Sequence, residues 1–76
     1  MKNDIYLYTF TTFNRHMKYS EFHRKIVRNG WKFSHAEGSH YFNTKDGILS
    51  EPVPYHGSKE FYEPLRKKIA KSMGLK

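Results

Sequence analysis

The sequence predicts an α+β domain of order α-β-β-β-α, in which a three-stranded antiparallel sheet carries two helices on one face. Three observations predict it. Apolar residues at helical spacing begin near Tyr19 and stop at Asn29-Gly30, the middle of the chain alternates β-prone runs with glycine turns, and a basic amphipathic segment from about Tyr62 closes at Gly74.

Residues 1 to 16, MKNDIYLYTFTTFNRH, are dense in Ile, Tyr, Thr and Phe, a composition that favours an extended strand. We expect them to form a leader, either an added edge strand or dispensable, ahead of a domain spanning residues 17 to 76. Ser20 is the expected N-cap of the first helix, with Glu21 suited to its positive end. On a helical projection Tyr19, Phe22 and Ile26 fall in one arc with Val27 beside it, and Arg24, Lys25 and Arg28 fall opposite. Asn29-Gly30 ends the helix, because glycine takes a left-handed cap without strain.

Strands are expected over residues 31 to 36, 39 to 44 and 48 to 53, with turns at Glu37-Gly38 and Lys45-Asp46-Gly47. Asp-Gly between two β-prone runs is a strong hairpin signal, so the three strands form an antiparallel meander. Pro52 and Pro54 remove two backbone donors, which makes the third strand an edge that stops near Val53. In the last helix, over residues 62 to 73, Pro64 is tolerated because first-turn N–H groups have no partner within the helix. Leu65, Ile69 and Met73 make its buried stripe, and Lys67, Lys68 and Lys71 fan out opposite.

A chain of 76 residues holds one domain with one modest core. Only 37% of it is apolar, but 17% is aromatic, and a few buried rings can build that core. With no cysteine there is no disulfide and no zinc-thiolate site, so the cytoplasm is the expected compartment. No run approaches the roughly 20 apolar residues of a membrane span, and no signal peptide is evident. We expect no membrane partner.

The formal charge of +7 implies a polyanionic partner, nucleic acid first and an acidic protein second. The two helical regions each carry an excess of cations, whereas Lys45 in the middle is outnumbered by Glu37, Asp46 and Glu51. Arg24, Lys25, Arg28, Lys67, Lys68 and Lys71 are therefore the candidate contacts, to RNA first or to an acidic protein, between which charge alone does not choose. The plain alternative is that these are solvated helix faces.

Met17-Lys18-Tyr19-Ser20-Glu21, Gly30-Trp31, Gly38-Ser39-His40, Val53-Pro54-Tyr55-His56-Gly57-Ser58-Lys59-Glu60, Arg66-Lys67-Lys68-Ile69 and Met73-Gly74-Leu75 together resemble the HicA family of toxins. The resemblance covers residues 17 to 75. It implies a fold similar to the double-stranded RNA-binding domain, mRNA interferase activity without a metal or other cofactor, and neutralisation by an antitoxin of HicB type in a hetero-oligomer. It places the family's catalytic histidine at His40, with Gly38 and Ser39 as motif neighbours. The chain departs from the family in having Tyr62-Glu63-Pro64 where Pro-x-Gly is frequent. It also has His35 and Glu37 where basic residues often precede the glycine-serine-histidine.

The chemistry can be argued independently. RNA cleavage without a metal needs a base for the 2′-hydroxyl proton, stabilisation of the phosphorane, and an acid for the 5′-oxygen. Histidine suits both proton roles, since its unperturbed pKa of about 6.5 leaves either form populated near neutrality. Gly38 lets a sugar-phosphate backbone approach, and Ser39 offers a hydroxyl and an amide to a phosphate oxygen. One imidazole cannot be base and acid in the same transition state. His56 is the first candidate for the second group and Lys59 the next, both in a loop rich in proline and glycine.

The other readings are structural. His40 alternates with Phe42 and could be a packed, hydrogen-bonded histidine, and His56 could cap its loop or meet a partner. His23 is expected to pack, and His16 and His35 to lie at the surface. Trp31, Tyr41 and Tyr55 could stack on unpaired bases, although Trp31 beside a helix is the better packing residue. No HxxxH or HExxH spacing is present, so a metal site is not expected. Two rivals to an RNA-cleaving toxin stay open: a non-catalytic RNA-binding module, and a module that binds an acidic protein.

Overall fold

The computed structural model describes residues 17 to 76; the expected leader strand and His16 lie outside the described residues. In chain order the elements are α1 (Tyr19–Arg28), β1 (Lys32–Glu37), β2 (His40–Lys45), β3 (Ile48–Leu49), β4 (Val53–Pro54) and α2 (Glu63–Ser72). The predicted α-β-β-β-α order is present, with the third strand in two pieces. Such an α+β arrangement of two helices and an antiparallel sheet is consistent with the fold implied by the resemblance.

Helix α1 starts two residues earlier than a Ser20 cap would allow, with Lys18 as the N-cap. The reason is tertiary. The first free N–H groups of the helix, from Tyr19 and Ser20, donate to the carbonyls of Lys59 (3.0 Å) and Gly57 (2.9 Å), so no hydroxyl is needed there. The Lys18 N–H donates to Glu21 Oε1 at 2.9 Å, which puts a carboxylate at the positive end. At the other end Asn29 Nδ2 donates to the Lys25 carbonyl (2.8 Å), Lys45 Nζ donates to the Asn29 carbonyl (2.8 Å), and Gly30 turns the chain at φ +95°.

Strand β2 is the centre of the sheet, with β1 on one side and β3 and β4 on the other, all antiparallel. Both hairpins are two-residue turns. Asp46 (φ 53°) and Gly47 (φ 80°) both take positive φ, as a type I′ turn requires, while in Gly38-Ser39 only Gly38 does (φ 61°). The first turn therefore lies one residue later than expected, and His40 opens its strand.

Two bulges shape the ladder. Phe33 faces Asn43 but His35 faces Phe42, so Ser34 is an extra residue in β1. Opposite, Leu49 faces Thr44 and Val53 faces Tyr41, which breaks the predicted continuous third strand over Ser50, Glu51 and Pro52. Ser50 repairs the gap: its N–H donates to the Asn43 carbonyl (2.7 Å), and its hydroxyl accepts from the Asn43 N–H (3.0 Å) and donates to the Glu51 carbonyl (2.9 Å). Pro52, which has no N–H to offer, sits where the ladder is already broken.

The core is Phe22, Ile26, Trp31, Val53, Phe61, Ile69 and Met73, packed between the helices and the sheet face that carries Val53. Phe22 and Ile26 are fully buried as the helical arc predicts, but Val27 is 48% exposed. Ile69 and Met73 are buried, whereas Leu65 at the start of α2 stands 37% exposed; Phe61, just before the helix, takes its place in the core. Trp31 is a packing residue, its indole N–H donating to the Met73 carbonyl at 3.3 Å.

Asn43 is the exception in this interior. Its side chain is fully buried, and neither Oδ1 nor Nδ2 finds a hydrogen-bond partner among the described residues. An orphaned buried amide is destabilising by about 1–3 kcal/mol, so Asn43→Leu, which keeps the branched shape, is expected to raise stability by about that amount. The measurement is the urea midpoint at unchanged m-value; a lower midpoint would show that the amide is satisfied in solution.

Candidate active site

Alternation along β2 divides the sheet. Asn43 and Tyr41 face the helices, and His40, Phe42 and Thr44 face away from them, on an open face shared with the residues directly opposite: Lys32, His35 and Glu37 of β1 and Pro54 of β4. His40 is exposed at the first position of β2, between Glu37 on one side and Pro54 on the other. Its imidazole makes no hydrogen bond, ion pair or ring contact among the described residues. Beside it, Gly38 has open space where a side chain would project: a Cβ there would meet nothing within 4 Å. Ser39 uses its carbonyl to accept from the Tyr55 N–H (2.8 Å), which ties the end of β4 to the turn.

That tie brings the segment after β4 to the same end of the sheet as His40, as the topology predicts. The loop then turns away to α1. The His56 ring lies edge-on to Tyr19 at 4.9 Å, the His56 carbonyl accepts from the Lys59 N–H (3.2 Å), and the Lys59 carbonyl accepts from Tyr19. His56 and Lys59 are exposed, but the contacts that place them run to helix α1 and not to His40.

On the open face the fold joins His35 and Glu37 to Ser34 and Phe42. His35 Nε2 and Glu37 Oε2 are 3.1 Å apart, Ser34 Oγ lies 3.0 Å from His35 Nδ1, and the His35 ring stacks on Phe42 at 4.7 Å with an interplanar angle of 3°. The spacing of His35 and Glu37, two apart on one strand, already puts them on one face, but their meeting with Phe42 depends on the hairpin register. Regular pairing back from the Gly38-Ser39 turn puts His35 on the face of His40, and the extra residue at Ser34 lets Phe33, which would otherwise share that face, point to the helices.

His23 packs as expected. It sits edge-on to Tyr41 (5.3 Å), Tyr55 (5.9 Å) and Phe33 (6.2 Å), while Tyr41 and Tyr55 stack on each other at 4.4 Å. Partial burial disfavours the imidazolium and lowers the His23 pKa. The unfolded chain thus binds a proton at higher pH than the native one. Stability is expected to be full above the free-histidine pKa of about 6.5 and to fall as pH drops through it. Urea midpoints of the parent and of His23→Phe at pH 7.5 and 5.5 read the effect: the variant should lose less, and equal losses would refute the assignment.

The helix cations Arg24, Arg28, Lys67, Lys68 and Lys71 are exposed and Lys25 is half-buried, on elements behind the sheet, whereas Lys32 stands on the same face as His40. Arg66 is committed internally: its Nε and Nη2 donate to both oxygens of Glu63 (2.8 and 2.6 Å), and that hydrogen-bonded pair raises its pKa. Among the described residues, no cluster of three or more His, Cys, Asp or Glu is placed to hold a metal, and no helix is long and apolar enough to cross a membrane.

The family described as HicA toxin of bacterial toxin-antitoxin matches residues 19–75. The chain belongs to the HicA toxin family. Over 60 residues it is 47% identical to a probable mRNA interferase HicA of Pseudomonas fluorescens (strain Pf0-1), across 79% of this chain and 98% of that protein. The HicA match runs from the first residue of α1 to beyond the end of α2, so it takes in every described element and the Gly38-Ser39-His40 turn.

Proposed function

We propose that this HicA-family chain is an mRNA interferase, an endoribonuclease toxin whose cognate antitoxin is of HicB type, and that His40 carries proton transfer in the cleavage. The observation that carries the reading is the placement of His40: an exposed, unpartnered imidazole at the open end of the sheet, next to a glycine turn with room for a phosphate backbone. Family membership and the likeness to a probable mRNA interferase support RNA as the substrate.

His40 acts on the 2′-hydroxyl as base, and the freed oxygen attacks phosphorus. Gly38 admits the backbone and Ser39 offers donors to a phosphate oxygen. Lys32 supplies a cation on the same face, at the far end of the ladder, and Arg24, Lys25, Arg28, Lys67, Lys68 and Lys71 hold other phosphates as the strand passes around the sheet. The toxin acts in the cytoplasm, in complex with its antitoxin until released. The test is cleavage of RNA by the purified chain in EDTA, and its arrest by the cognate antitoxin. RNA binding without cleavage would make the chain a binding module; neither binding nor cleavage would leave protein interaction as its role.

A further inference from the structure

The reaction needs a second proton-transfer group, and the open face supplies one in the same ladder as His40, whereas the contacts that place His56 and Lys59 run to helix α1. We infer that His35 is the general acid for the 5′-oxygen, and that Glu37 is a removable occupant of its reactive nitrogen. This rests on the reading of His40 as the base.

Glu37 is directly opposite His40, and His35 is two residues along the same strand, so His35 and His40 are diagonal neighbours on one face. Such positions lie roughly 7–8 Å apart, a span that can hold a phosphate between two imidazoles. The unbroken ladder from the turn, Glu37 with His40 and His35 with Phe42, aims His35 there, and the Ser34 bulge just before it lets Phe33 still face the helices.

The ring is also held in place. Phe42 stacks flat against it at 4.7 Å, and Ser34 Oγ engages Nδ1 at 3.0 Å, which leaves Nε2 as the working nitrogen. In the free protein Nε2 faces the Glu37 carboxylate at 3.1 Å. The Glu37 side chain is 68% exposed and that of His35 45%, so theirs is a surface pair of small net strength, which an RNA phosphate at the same nitrogen displaces. A carboxylate occupies the position that the substrate's own oxygens take.

The step balances. Neutral His40 removes the 2′-hydroxyl proton, the 2′-oxygen bonds to phosphorus, and the P–O5′ bond breaks. Protonated His35 gives its Nε2 proton to the departing 5′-oxygen. The products are a 2′,3′-cyclic phosphate and a 5′-hydroxyl, with His40 left protonated and His35 neutral until solvent exchanges the proton between them.

The test uses two matched RNA substrates, one ordinary and one with sulfur in place of the bridging 5′-oxygen, since a thiolate leaves without being protonated. His35→Phe keeps the stack on Phe42 and removes both nitrogens. It is expected to slow the ordinary substrate by about 10²–10⁴-fold and leave the sulfur substrate near the parent rate. His56→Ala should leave the ratio between the two substrates unchanged, and Glu37→Gln should cleave at least as fast as the parent. If His35→Phe slows both substrates equally or neither, His35 is not the acid; a Glu37→Gln as slow as His35→Phe overturns the displaced carboxylate. His40→Ala is expected to slow both substrates, and its failure to do so would refute the base assignment while the His35 ratio remains readable.

Discussion

His40→Ala is expected to lower RNA cleavage by about 10²–10⁴-fold, the range that loss of one positioned acid or base produces. The same variant should fold and bind RNA as the parent does. His40 is exposed and its imidazole makes no hydrogen bond, ion pair or ring contact among the described residues, so its removal leaves no orphaned partner. Substitutions at such positions usually change stability by less than about 0.5 kcal/mol. Cleavage rates, RNA affinity and thermal unfolding, measured together, separate the explanations. Cleavage at the parent rate would remove His40 from the mechanism, and a parallel loss of binding would make it a contact residue.

Phe22→Ala is expected to have the largest effect on the fold. Phe22 is fully buried at the centre of α1, meets Phe61 edge-to-face at 5.3 Å, and belongs to the cluster that joins both helices to Val53 of the sheet. Truncating a core phenylalanine destabilises by about 3–5 kcal/mol. A chain of 76 residues has only about 4–11 kcal/mol in total at 0.05–0.15 kcal/mol per residue. The variant should therefore unfold at much lower urea and be largely lost at 37 °C, where Val27→Ala, on the exposed flank of the same helix, should change little. A small shift for Phe22→Ala would mean that the interior collapses around the deletion, against the packing described.

The sequence was most legible where a feature depends on a few neighbouring residues. Asp46-Gly47 and Gly38 specify tight turns because they tolerate positive φ, and His40 after such a turn at the open end of a strand could be read from the chain alone. The spacing of Phe22 and Ile26, and of Ile69 and Met73, marked the helix faces that are buried. Pro52 and Pro54 correctly made the third strand an edge.

Cross-strand register was not legible, because it is settled by residues far apart in sequence. The Ser34 bulge puts Phe33 and His35 on opposite faces, and the third strand breaks over Ser50, Glu51 and Pro52, where the Ser50 hydroxyl accepts from the backbone N–H of Asn43. Ser20 lost the capping role expected of it because the loop of Gly57 and Lys59 reaches the helix start first. Local chemistry thus determined the order of elements, the turns and the position of His40. Only the folded sheet decided which groups share its face, because one inserted residue changes the facing of every side chain that follows it.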